Sequence, residues 1–367
     1  TVAANGYLFV TGGYNGSAYV STVYSTPLQS DAFAFNTSNT FTAGNLVDIW
    51  NNNQSKLSLD YAGNLTTSGV TLTGTEGLAA NAAIKSGVTA INAGGTGSYA
   101  TLNPLPAINS MAAMTNYNGY IFYAGGAGAS VLSTVYSAKV NADGTIGSWN
   151  TLNTLPAITR THGLLAFNGY LFLVAGTTGV TNLSTVYSAK INTDGTIAAW
   201  QTLNTLPAIR YGPSSAISNG YLFVLGGWNG GAYTSTVYSA LINSNGTIGT
   251  WATLSNMPGV AGENSSVAYN GYIFTGAGCS TSCAAGQLST VYSVPVKNDG
   301  TIGTWQTLNT LPQILFRNNL QVANGYLYSI GGYNASTAIS LVYSAKISAD
   351  GTIGAWATLN TMPAITY

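Results

Sequence analysis

The side chains with the most chemistry in this sequence gather at one recurrent place. Arg160, Arg210 and Arg317, which are all of its arginines, and its single histidine, His162, stand three to six residues beyond a Leu-Pro dipeptide. Tyr211, Glu263 and Asn264 hold neighbouring or corresponding places. Guanidinium groups grip carboxylates through paired N–H donors, so a ligand of this set should be anionic or polyhydroxylated. A second set puts an aromatic ring next to an amide, at Tyr14-Asn15, Trp228-Asn229 and Tyr333-Asn334. Such a ring packs on the C–H faces of a sugar while the amide reads its hydroxyls. Both sets are candidate ligand contacts.

Catalysis meets a shortage of partners. Hydrolysis by paired carboxylates needs two acids roughly 5–9 Å apart, and Glu263 is the only acid in the set. Cys279 and Cys283 are the only cysteines, and two ligands do not make a zinc cage. No Ser-His-Asp arrangement or phosphate-cradling glycine loop is present. The expectation is no catalytic residue, no metal and no cofactor.

The elements that position these groups follow from an internal repeat, the signal to seek first. Asn-Gly-Tyr recurs at Asn5, Asn118, Asn168, Asn219, Asn270 and Asn324. A Val-Tyr-Ser follows each time, with its tyrosine at Tyr24, Tyr136, Tyr187, Tyr238, Tyr292 and Tyr343. A tryptophan comes next at Trp149, Trp200, Trp251, Trp305 and Trp356, with Tyr99 in that slot of the first unit. The period is about 51 residues, and each unit reads as four strands, the signature of a propeller blade. In the fourth unit they are A (214–218), B (221–225), C (234–242) and D (251–254). Asn219-Gly220 and Asn245-Gly246 supply the tight turns, because both positions tolerate positive φ.

The double glycine after strand B, the later tyrosine, and the tryptophan followed by Leu/Met-Pro resemble the kelch repeat. The pair stands at Gly12-Gly13, Gly125-Gly126, Gly226-Gly227 and Gly331-Gly332, and departs to Ala175-Gly176 and Ala277-Gly278. The resemblance implies an all-β fold, a six-bladed kelch-like β-propeller with a β-rich insertion in blade 1. It says little about function, because one fold hosts many activities. Copper oxidases built on kelch propellers need two histidine ligands, and this chain has one. Arg160, Arg210, Arg317, Glu263 and Tyr211 echo the set of six-bladed sialidases, but no aspartate accompanies them as acid/base. A sialidase-like glycoside hydrolase is a remote alternative.

Strand alternation sorts the loops onto two faces. The A–B and C–D turns share one. The variable B–C and D–A loops share the other, with the D–A loops around the mouth of the central channel. Lys139, Lys190 and Lys346 stand four residues before Asp143, Asp194 and Asp350, a spacing that should pair charges across the C–D turn.

Composition narrows the class. Only 5% of the 367 residues are charged and the net charge is zero, so the basic patch that nucleic acid requires is absent. No run of about 18 apolar residues calls for a membrane span. The neutral surface fits an extracellular or cell-surface protein, and a Cys279–Cys283 disulfide would fit an oxidising compartment; two free buried thiols are the alternative. Eight Asn-x-Ser/Thr sequons, Asn264 among them, matter only where the host glycosylates asparagine.

Blade 1 is interrupted. Residues 1–28 hold its strands A to C, residues 29–92 form the insertion, and 93–367 hold its strand D and blades 2–6. The insertion has no helical period but alternates at 57–61 and 70–73, with a turn at 62–64. Its stretches 36–46 and 56–66 resemble β-rich stalk repeats of phage tail fibres and bacterial surface proteins. The leading expectation is a structural subunit of a surface layer, stalk or filament that self-associates through residues 29–92. A glycan- or protein-binding module using the D–A/B–C face is the other.

Overall fold

A computed structural model describes residues 2–4, 7–14, 19–27, 45–51, 54–60, 65–67, 99–107, 109–334 and 336–363. Six antiparallel four-stranded sheets follow one another along the chain. Blade 4 runs A (Ser214–Ser218), B (Tyr221–Leu225), C (Val237–Leu241) and D (Ala252–Leu254). Strand C is shorter than its alternation suggests because the next loop takes the backbone of its first residues: Ala261 N–H donates to Thr234 O and Met257 N–H to Ser235 O. Blade 1 is Val2–Ala4, Tyr7–Tyr14, Tyr19–Pro27 and Ala100–Leu102. Blade 6 is Asn319–Ala323, Tyr326–Ile330, Val342–Lys346 and Ala357–Thr358. Each terminal blade is therefore completed by its own strands. The ring closes where strand A of blade 1 meets the A strands of blades 2 and 6.

Three interlocks join successive blades and explain the repeated motifs. In blades 2 to 6 the Asn-Gly turns between strands A and B are left-handed at both positions, as at Asn168 (φ 48) and Gly169 (φ 81). In blades 1 to 5 the tyrosine that follows lies against the C–D turn of the next blade. A Cβ on Gly144, Gly195, Gly246, Gly300 or Gly351 would overlap the ring of Tyr7, Tyr120, Tyr170, Tyr221 or Tyr272 respectively. The second interlock is an asparagine–tryptophan latch. Trp251 Nε1 donates to Asn204 O (3.1 Å), and Asn204 Nδ2 donates back to Ile248 O (3.3 Å). Trp149 with Asn103, Trp200 with Asn153, and Trp356 with Asn309 repeat it. The third is the apolar core between blades, for example Phe172, Val174, Leu222, Val224 and Tyr238 between blades 3 and 4.

The C–D turns hold one correction. Asp143, Asp194 and Asp350 do not pair with the lysines four residues before them. Each carboxylate instead accepts from the backbone N–H and hydroxyl of the threonine two residues on, as Asp143 does from Thr145 at 3.0 and 2.7 Å. These bonds hold the three carboxyls below the usual range. A short local loop wins over a long lysine arm that would lose rotamer freedom at an exposed site.

Within the insertion, Asn45–Asn51, Gln54–Asp60 and Leu65–Thr67 form a three-stranded antiparallel sheet with Gln54–Asp60 in the middle. The expected alternation at 57–61 lies mostly in that middle strand. The expected turn at 62–64 and the alternation at 70–73 lie outside the described residues.

Candidate functional site

The D–A loops form a collar at one end of the channel. One residue in each of five successive loops is left-handed: Met111 (φ 55), Thr161 (φ 50), Gly212 (φ 56), Glu263 (φ 52) and Arg317 (φ 55). That conformation is unusual for a side-chain-bearing residue. Here it turns the N–H of the last four toward the preceding loop. Thr161 N–H donates to Met111 O (2.9 Å), Gly212 to Thr161 (3.2 Å), Glu263 to Gly212 (2.7 Å) and Arg317 to Glu263 (2.9 Å). A chain of backbone hydrogen bonds thus runs blade to blade around the mouth.

Set against this collar, the three arginines are not equivalent. Arg317 is a collar residue, Arg160 precedes one, and Arg210 lies two residues before one. Arg210 is only 2% exposed. Its guanidinium donates to Ile209 O (2.9 Å) and to Tyr238 OH (3.1 Å) and lies 5.2 Å from the Tyr238 ring centroid. Arg317 pairs with the buried Glu263 carboxylate and reaches Tyr211 OH at 3.4 Å. Burial and the Glu263 charge push the Tyr211 hydroxyl above its ordinary value. Arg160 is half-buried and donates only to Met111 Sδ, at 3.8 Å, with its Nε buried and unpartnered. The residues therefore come together as a Tyr211–Glu263–Arg317 cluster, with Arg160 and Arg210 placed elsewhere.

His162 is 7% exposed, and burial holds its pKa down at about 4, so the ring is neutral near pH 7. It packs against the double-glycine segments: a Cβ on Gly125 would lie 2.7 Å from its Cε1, and one on Gly176 2.8 Å from its Cβ. Asn264 is 9% exposed, too buried to serve as a glycosylation acceptor in the folded state. Its Nδ2 donates to Ser214 Oγ and Thr275 Oγ1, both at 2.9 Å.

Two of the aromatic–amide pairs are engaged within the fold. Trp228 meets Tyr233 edge-on at 5.2 Å, and Tyr333 meets Phe316 at 5.3 Å. The Asn229 carboxamide oxygen accepts from Gly231 and Ala232 N–H, and that of Asn334 from Thr337 N–H. Those amides close their own loops. Tyr14 ends strand B of blade 1; its side chain lies outside the description. In blade 5 the B–C loop is closed by a Cys279–Cys283 disulfide. Among the described residues no group of three metal-ligating side chains occurs.

The expected central channel, lined by the A strands, encloses about 470 Å³. One further place escaped sequence reasoning. A second cavity of about 260 Å³ lies between blades 4 and 5, against Asn264, Thr275 and Tyr292. Its sequence signal was available: Thr275 and Gly259 are smaller than most counterparts in the sister units.

Residues 209–239, in blade 4 and the loop before it, match the family described as Kelch motif. No curated protein matches the chain. A solved structure titled "Structure of YjhT" is similar over 98% of this chain and 96% of that one, with a TM-score of 0.64 and 12% sequence identity, a likeness that speaks to the fold alone. The matched motif, its repetition in six interlocking units and that likeness together identify the chain as a six-bladed kelch-repeat β-propeller.

Proposed function

We propose that the protein is a non-catalytic extracellular structural subunit that self-associates through the blade 1 insertion. The observation that carries this reading is the insertion's three-stranded sheet, whose outer strands, Asn45–Asn51 and Leu65–Thr67, have no further strand partner among the described residues. Open strand edges recruit other chains, and small sheets without a partner are marginal in water. The segment also carries Phe33, Phe35, Phe41, Leu46, Val47, Ile49 and Trp50, more apolar surface than so short a unit buries alone. Low charge, the fibre-like stretches and the disulfide support an assembled, extracellular setting. Replacing residues 29–92 by a short Asn-Gly turn should leave a folded monomeric propeller. A deletion variant that assembles like the parent would remove the insertion from this role.

A glycan- or protein-binding reading of the D–A/B–C face keeps one observation in its favour, the half-buried Arg160 guanidinium that meets no carboxylate. A glycan array on the purified monomer tests it. Binding that survives Arg160→Ala would discard this contact.

A further inference from the structure

At the seams from blades 1–2 to blades 5–6, two residues share the space behind the Val-Tyr-Ser tyrosine. One is the fourth residue of strand B. The other stands three places beyond the proline of the D–A loop. The pairs are Tyr123 with Asn109, Leu173 with Thr159, Val224 with Arg210 and Ser329 with Leu315, so that a smaller strand residue meets a larger loop residue. Blade 5 alone pairs two small ones, Thr275 with Ala261. Gly259, right after the proline, is small as well, where the next seam has Gln313, whose Nε2 donates to Tyr343 OH at 2.8 Å. The space left over is the cavity of about 260 Å³. It reaches solvent: Tyr136, Tyr187, Tyr238 and Tyr343 are buried, whereas Tyr292, on the cavity wall, is half-buried.

The preceding seam shows what such a space takes. There the buried Arg210 guanidinium donates to Ile209 O and Tyr238 OH and lies 5.2 Å from the Tyr238 ring centroid, with no carboxylate beside it among the described residues. A carbonyl, a phenol oxygen and an aromatic face therefore hold a guanidinium inside this fold, as its weak hydration and flat shape allow. The backbone repeats one blade on. Arg210 N–H donates to Leu183 O and Ala261 N–H to Thr234 O; Gly176 and Gly227 N–H donate to Arg210 O and Ala261 O. Val260 O and Tyr292 OH thus hold the places of Ile209 O and Tyr238 OH. Neither has a protein partner among the described residues, and both residues line the cavity. No charged side chain lines it, so nothing there repels a cation. At the seams of blades 1–2 and 2–3 the corresponding space is filled by the buried Tyr123 and Leu173.

We propose that the cavity between blades 4 and 5 is a binding site for a guanidinium group. The cation lies against the Tyr292 ring and donates to Tyr292 OH and Val260 O. Its alkyl stem takes the space beside Ala261 that Arg210 fills with its own stem one seam earlier. The ligand is either a free alkylguanidine or an arginine side chain of a partner peptide. This site is independent of the insertion and of the proposed assembly.

The test is calorimetric titration of the full chain with n-butylguanidine, N-acetylargininamide and n-butylurea, the last a neutral planar counterpart. n-Butylguanidine should bind at a single site with a Kd on the order of 1 mM. n-Butylurea should bind about tenfold more weakly, because the charge-assisted hydrogen bonds and the cation–π contact are lost. Binding of N-acetylargininamide as well would identify a peptide site; its failure beside n-butylguanidine binding would identify a small-molecule site. Ala261→Arg lets the chain fill the cavity itself, as at the preceding seam, and should abolish binding while thermal unfolding shows an intact propeller. Arg210→Ala vacates the same place one seam earlier and should add a second site; if that variant does not fold, Ala261→Arg still decides. No binding at roughly 20 mM n-butylguanidine, equal affinity for n-butylurea, undiminished binding in Ala261→Arg, or a folded Arg210→Ala variant without a second site would overturn the proposal.

Discussion

A single buried imidazole gives this fold an acid sensitivity that its five-per-cent charge would not suggest. His162 titrates near 4 when folded because burial penalises the cation, against 6.5 when unfolded. The unfolded chain therefore binds more protons between those values. Stability is full above pH 6.5 and falls as pH drops toward 4, by about 3 kcal/mol in total. Denaturant unfolding at pH 7 and pH 4.5 should show the loss, and His162→Phe should flatten it; an equal loss in that variant would assign the acid sensitivity elsewhere. The double glycine makes a second prediction at this scale. Its first position is left-handed and holds alanine in two blades, Ala175 (φ 58) and Ala277 (φ 59), although a Cβ on Gly125 or Gly226 would overlap the backbone of the following loop. The second sits against the D–A loop that leads into its own blade: a Cβ on Gly278 (φ 94) would lie 2.7 Å from Gly262 O. Gly278→Ala should cost more than about 2 kcal/mol, through strain and overlap. Ala277→Gly should stay within about 1 kcal/mol of the parent, since relief of strain offsets added chain entropy. The motif and its departures were visible in the sequence, but the lack of room at the second glycine depends on how the preceding D–A loop folds back on it and was not.

Between elements, the repeated Asn and Trp are one device. Trp251 is half-buried rather than enclosed, and packs on the blade 3–4 core while its Nε1 holds Asn204 O. Trp251→Ala should cost about 2–3 kcal/mol, below the ~3–5 expected for a fully buried ring. Trp251→Phe should cost about 1, the worth of the hydrogen bond. Ser255→Asn restores the latch residue at the one seam that lacks it. It should raise stability by about 1 kcal/mol in chemical denaturation, and no gain would mean that Trp305 does not depend on that residue. The strands, turns and closure were legible because hydrophobic alternation and Asn-Gly turns are local signals. The fates of Arg160, Arg210 and Arg317 were not. Equal distance from a proline does not fix equal position when each loop places its left-handed residue by tertiary contacts. Their shared look as a cationic set dissolved into one ion pair, one cation–π stack and one half-buried guanidinium.

For the whole molecule, the insertion and the collar leave on opposite faces. Strand C of blade 1 ends at Pro27 and strand D begins at Ala100, the side of the C–D turns, whereas Thr161, Glu263 and Arg317 crown the D–A side. The Cys279–Cys283 bridge, expected from spacing alone, is formed. Thiol titration of unfolded, unreduced protein should find none free, and reactive thiols would remove the support for an oxidising setting. What a one-chain sequence carries weakly is partnership, because open edges at Asn45–Asn51 and Leu65–Thr67 say that a strand can be received without saying from whom. Electron microscopy of the particles formed by the full chain at increasing concentration addresses this directly. The account predicts propellers joined through density continuous with the blade 1 C–D side, with the collar face free, and particles lost on deletion of residues 29–92. Propellers joined collar to collar, or a chain that stays monomeric with its insertion intact, would contradict it.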